Sequence, residues 1–165
     1  MKVGFLFICL LWFSSTLDCK LEDGWKGIRV FESSRNEVVK ILGNPVDEKR
    51  GEVRFETPDT FIRALFANEP CSDTATITGG FNVRKGTILE YEVVPKKEII
   101  LDKLNWSRDR YERFNDPHVQ GMVHYYSSRD GIRMETNLGD DERSEHVSII
   151  YFERTVEQES KFACK

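Results

Sequence analysis

Residues 33–45, Ser33-Ser34-Arg35-Asn36-Glu37-Val38-Val39-Lys40-Ile41-Leu42-Gly43-Asn44-Pro45, carry the start, stripe and stop signals of one short helix. Ser34 with Glu37 three residues on forms a capping box, in which each side chain satisfies a backbone N–H that the helix leaves unpaired. Val38, Ile41 and Leu42 recur at helical spacing, and Gly43 followed by Pro45 ends the element. A helix of about two to three turns does not hold in water alone, so its apolar stripe must lie on another layer.

The residues that follow supply a sheet. Segments 61–66, 88–94, 122–126, 132–136 and 147–152 are rich in β-branched and aromatic residues. In 132–137, Ile132, Met134 and Thr136 alternate with Arg133, Glu135 and Asn137, one set for a core and one for water. The polar runs 127–131 and 138–145 are short enough to join hairpins, so the last three strands read as an antiparallel meander. The expected fold class is α+β, a short N-terminal helix packed on an antiparallel sheet of about five to six strands. Residues 68–80 read as a loop holding Cys71, and 96–116 as an extended start with single helical turns around Asp102 and Ser107. The tail from Thr155 is polar, pinned through Cys164.

Upstream, Lys2 precedes an apolar run from Val3 to Phe13, and Ser14, Ser15 and Thr16 supply a small polar stretch. This is the pattern of an export signal, 1–19, leaving a single domain over 20–165. The run is shorter than the about 20 residues that span a bilayer, and no later run matches it, so no transmembrane helix is expected after cleavage. Cleavage after Cys19 leaves Cys71 and Cys164, which in an oxidising compartment read as one disulfide. The alternatives are two free thiols, or a metal pair that no neighbouring histidine supports. Asp18 stands where a lipobox needs a small residue, which argues against a lipid anchor on Cys19. Cleavage after Thr16 would instead leave Cys19 as an odd thiol.

The net charge of −4, with acids and bases interspersed, argues against nucleic acid as a partner. His118, His124 and His146 lack the spacing of a helical zinc site; because His124 and His146 belong to one meander, a cross-strand encounter between them is the alternative. Glu90 with Glu92, and the run Asp140-Asp141-Glu142, are carboxylates in solvated settings. No nucleophile elbow, phosphate-binding glycine loop or metalloprotease motif occurs, so no catalytic, cofactor or metal residue is assigned. Asn105-Trp106-Ser107 is a glycosylation sequon, informative only in a host that glycosylates. Trp25, Phe81 and Trp106 lie near expected loops, where each either anchors a partner or caps the core.

The helix segment, with its Leu42-Gly43-x-Pro45 ending, resembles SmpA/OmlA-type envelope lipoproteins and the β-lactamase-inhibitor-protein-like fold, which implies a short helix on an antiparallel sheet. Gly80-Phe81-Asn82-Val83-Arg84-Lys85-Gly86-Thr87, Val94-Pro95-Lys96-Lys97, Leu101-Asp102-Lys103-Leu104 and Asp116-Pro117-His118 resemble a family of small exported bacterial proteins. Phe81 and Arg84 stand where that family has Trp and Pro. The resemblance implies a compartment and an architecture. The expected function is a secreted or periplasmic non-enzymatic binding domain for a protein or cell-envelope partner. A proteinaceous inhibitor of a hydrolase is the alternative, and a small hydrolase the third.

Overall fold

A computed structural model describes residues 20–49, 51–71, 80–139 and 144–164. The export signal expected over 1–19, with Cys9 and Cys19, and the run Asp140-Asp141-Glu142 lie outside the described residues.

The helix α1 spans Arg35–Leu42 and begins as its sequence dictates. Ser34 Oγ accepts from the Glu37 N–H at 3.4 Å, and the Glu37 carboxylate accepts from the Ser34 N–H at 2.7 Å. The backbone bond to Ser34, then its side chain, holds the Glu37 carboxyl below its ordinary value. Gly43 closes the helix at φ 89°, a left-handed backbone that glycine adopts without strain, and donates to the Val39 carbonyl at 2.9 Å. Val38 and Leu42 are buried with Val39 beside them, whereas Ile41, expected inside, is 41% exposed. Successive helical residues turn by about 100°, so a face centred between Val38 and Leu42 leaves Ile41 on the flank toward water. Leu42→Ala is therefore expected to cost about 2–3 kcal/mol through lost burial and a cavity. Ile41→Ala should cost under about 1 kcal/mol. Chemical denaturation measures both, and equal costs contradict the placement.

Among the described residues the sheet is antiparallel and has nine strands, more than the five to six expected. They are β1 (Asp47–Lys49), β2 (Glu52–Glu56), β3 (Thr60–Phe66), β4 (Ile88–Pro95), β5 (Ile99–Ile100), β6 (Glu112–Asn115), β7 (Met122–Ser127), β8 (Ile132–Leu138) and β9 (Glu145–Phe152). The order β1-β2-β3-β4-β9-β8-β7-β6 is two consecutive meanders joined where β9 returns against β4. The additional strands are β1, β2, β5 and β6. Every residue of β1 and β6 is exposed, so these edges carry no apolar alternation to read, and their charges guard them against pairing with other chains. In β2, Val53 and Phe55 are buried, but three charged residues among five mask that alternation. β5 resumes the line of β4 along β9: Tyr91 to Val93 pair with Phe152 to Ile150, and Ile99 and Ile100 with Val147 and His146.

One face of the sheet builds the core. Phe55, Ile62, Tyr91, Val93, Tyr125, Met134, Ile150 and Phe152 meet Leu21, Ile28 and Phe31 of the N-terminal segment, Val38 and Leu42 of α1, and Leu101 in one cluster. Tyr91 fastens the N-terminal segment: its hydroxyl donates to the Ile28 carbonyl at 2.7 Å and accepts from the Trp25 N–H at 2.9 Å. Its ring stacks on Phe152 at 4.4 Å. Single helical turns at Leu101–Lys103 and Arg108–Arg110 fall where the sequence placed them.

The polar tail contains a second helix, α2, over Val156–Phe162. Its signal stands in the sequence as a second capping box, with the Gln158 N–H donating to Thr155 Oγ1 at 3.1 Å and the Thr155 N–H to Gln158 Oε1 at 2.9 Å. Beyond it, Cys164 is joined to Cys71, with 5.6 Å between their Cα atoms.

Candidate functional site

A strand alternates its side chains, so the partners of the core residues point to the other face of the sheet. Register aligns eight of them into one row: Asp47, Arg54, Arg63, Glu92, Tyr151, Arg133, Tyr126 and Glu112, each opposite the next. All eight are half-buried or exposed, and no described helix covers them. With strands about 4.8 Å apart, the row runs ~34 Å across the sheet.

The row is tied together laterally. Arg63 Nη2 lies 2.6 Å from Glu92 Oε2, and Arg54 Nε 3.0 Å from Glu52 Oε1. The Arg133 guanidinium sits 3.7 Å from the centre of the Tyr151 ring while bonding Glu135 at 2.7 Å and Glu153 at 3.3 Å. Contacts of this kind contribute little to stability at a wet surface. They do fix the directions of long side chains, which lowers the entropy lost when a partner arrives. Arg54, Arg63, Leu65, Glu92, Tyr151 and Glu153 line a depression of about 550 Å³ in this face. Phe61 and Phe114, 49% and 48% exposed, lie on the same face two residues along β3 and β6 from Arg63 and Glu112.

Other residues singled out from the sequence lie elsewhere. Phe81 is buried, its ring edge-on to Phe31 at 5.1 Å, and serves the core. Trp25 is half-buried against the core, and Trp106 packs edge-on to Tyr111 at 4.9 Å and Tyr125 at 5.2 Å. Both cap the helix side and stand away from the open row. Glu92 belongs to the row, and Glu90 lies 3.7 Å from Arg154. His124 and His146 do not meet, because β8 runs between their strands. His124 Nε2 is 2.9 Å from Asp116 Oδ2, and that bond leads the influences holding the Asp116 carboxyl below its ordinary value. His146 faces Glu98 at 3.2 Å. Among the described residues no group of histidines, cysteines and carboxylates gathers in a way that would hold a metal.

No family model, curated protein or solved structure matches this chain. The site is therefore argued from its own geometry. The alternation in 132–137 turns Arg133 and Glu135 toward water, but nothing local in the sequence marks Arg54, Arg63, Tyr126 and Tyr151. Only register, which pairs residues far apart in the chain, aligns them.

On the helix side a second polar cluster is structural. The Tyr125 hydroxyl donates to Glu145 Oε2 at 2.6 Å and accepts from Arg108 and Arg113, each at 3.1 Å. Burial, followed by Glu145, pushes this hydroxyl above its ordinary pKa. Burial, then Glu22 and Asp130, push the Tyr111 hydroxyl higher still, and it has no hydrogen-bond partner among the described residues. Phenols held protonated in the folded state stabilise it fully below the unfolded value of about 10, and that contribution is lost as pH rises above it. Tyr111→Phe is expected to be neutral or stabilising at pH 7, since it removes an unpaired buried hydroxyl. It should also lessen the loss of stability between about pH 9 and 11. Melting temperatures across that range, equally steep for both proteins, contradict this.

Proposed function

We propose that residues 20–165 act, after export, as a binding domain that docks a folded protein partner of the cell envelope or the extracellular space on the open face of the sheet. The row from Arg54 to Tyr126 carries this reading. Arginine and tyrosine are the residues on which protein interfaces concentrate their energy, and here they are pre-oriented on rigid strands. The central strands, at about 3.3 Å per residue, give the face a depth of ~25 Å. With its length this amounts to roughly 800 Å², the area one partner contributes to a standard interface. Its charges are paired: Arg54, Arg63 and Arg133 meet Glu52, Glu92 and Glu135. A balanced face suits a mosaic protein surface better than a polyanion. Lacking a continuous apolar band, it is also a poor match for a bilayer.

The test is affinity capture from envelope extract with wild type, with Arg133→Ser/Tyr151→Ser on the open face, and with Ile41→Ser on α1. If the row holds the energy of a hot spot, the double variant binds the recovered partner about thirtyfold more weakly, while Ile41→Ser matches wild type. Unchanged melting temperatures guard against misfolding. Equal affinity in the double variant, or loss confined to Ile41→Ser, overturns the proposal. A captured hydrolase losing activity in the complex would make the domain an inhibitor through the same face.

A further inference from the structure

The β5 end of the sheet holds a constellation that docking does not use. Ser144 Oγ lies 3.1 Å from His146 Nε2, and Glu98 Oε2 lies 3.2 Å from His146 Nδ1 on the far side of the ring. All three line one cavity of about 590 Å³, with Lys96, Lys97 and Asn137 among its walls. We propose that it is an acyl-transfer site, in which Ser144 is the nucleophile, His146 the general base and Glu98 the residue that positions His146, acting on small carboxylic esters.

The fold assembles these groups for simple reasons. Ser144 precedes β9 and His146 is its second residue, so the period of two in an extended chain sets both on the same side. Pairing of Ile99 and Ile100 with Val147 and His146 draws Glu98 alongside. Gly139 closes the other wall, its N–H donating to the Ser144 carbonyl at 2.7 Å. A Cβ at 139 would stand 2.7 Å from His146 Nε2 and 2.8 Å from Ser144 Oγ, so a side chain there displaces both. The nucleophile, base and orienting acid are thus connected through the two different nitrogens of one imidazole, as a base-activated hydroxyl requires.

Ser144 Oγ bonds to the acyl carbon as its proton passes to His146 Nε2. The acyl–oxygen bond then breaks, and the alcohol leaves with that proton. Water adds to the acyl-serine, again giving a proton to His146, and the carboxylic acid departs as the proton returns to Ser144 Oγ. Lys96 and Lys97, both in the cavity wall, make its electrostatic field positive where negative charge develops on the acyl oxygen. Glu98 is 82% exposed on its side chain, and the His146 Nδ1 contact is close but not aligned as a hydrogen bond. Such contacts often tighten only when substrate binds. The exposed carboxylate makes this a slow site, with general-base assistance near the low end of the usual range, about a hundredfold.

The test uses the full exported chain with a fluorophosphonate probe, peptide mapping, and p-nitrophenyl acetate as substrate. The proposal expects the label on Ser144, its loss in Ser144→Ala, and labelling and hydrolysis reduced about a hundredfold in His146→Gln. Glu98→Gln should lower kcat for p-nitrophenyl acetate several-fold while leaving KM unchanged, a split that a purely structural role would not produce. No label on Ser144, or hydrolysis unchanged in Ser144→Ala of unaltered melting temperature, overturns it. Ser144 lies ~23 Å along the strand from Tyr151 at about 3.3 Å per residue, so either outcome leaves partner capture by the row to be judged separately.

Discussion

Replacing Cys71 and Cys164 together by serine is expected to lower stability by about 4–5 kcal/mol. The bond joins residues 93 apart in sequence. Opening it returns to the unfolded chain the entropy of a loop that spans most of the domain. The folded side loses an anchor as well. Around the bond the Cys71 N–H donates to the Phe81 carbonyl at 3.0 Å and the Asn82 N–H to the Phe162 carbonyl at 2.7 Å. Phe31 packs on Phe81 at 5.1 Å and on Phe162 at 5.0 Å. Without the bond, α2 is held by that aromatic contact, its cap, the Asn82–Phe162 backbone bond and the Gln158 bond to the Val30 carbonyl at 3.3 Å, and it should fray first. For a domain of this size the loss corresponds to a fall in melting temperature of roughly 10–20 °C. Thermal unfolding with and without reductant reads it, and a fall of under about 3 °C contradicts the account.

Ile150→Ala should cost about 3–5 kcal/mol, while Ile149→Ala, one residue away, costs under about 1. Ile150 is fully buried at the seam between the meanders, paired with Val93 on β4 and Met134 on β8, both also fully buried. Removing its side chain opens a cavity that three rigid strands close poorly. Ile149 faces the other way, opposite Glu135 and half-buried on the open face. Denaturant unfolding of the two variants measures the difference directly. Comparable costs would mean that both faces of β9 are equally covered, and the open face would then be no docking surface.

What could be read in advance follows from how local each signal is. α1 was legible because Ser34, Glu37 and Gly43 act on their own backbone within a few residues, while the misplacement of Ile41 came from counting apolar residues without the direction of the packed face. The second capping box, Thr155 with Gln158, was equally local, but no apolar stripe accompanies it: Val156 is 75% exposed. β7, β8 and β9 announced themselves by alternation. β1 and β6 did not, being edges with no buried side. The disulfide was legible from two cysteines and the compartment that the N-terminal pattern leads one to expect. The Arg63–Glu92–Tyr151–Arg133 row was not, because it exists only once strands from both halves of the chain are in register. Glu98 likewise reaches His146 only because β5 resumes pairing beside β4.

The open face is the centre of this account, and it is tested most directly by a photo-crosslinking residue placed singly at positions 126, 151, 41 and 156 of the protein in its host. Positions 126 and 151 lie in the row, 41 on α1 and 156 on α2. The prediction is one adduct of common mass from 126 and 151 and none from 41 and 156. Absence of an adduct at both row positions, whatever the helix positions give, contradicts it.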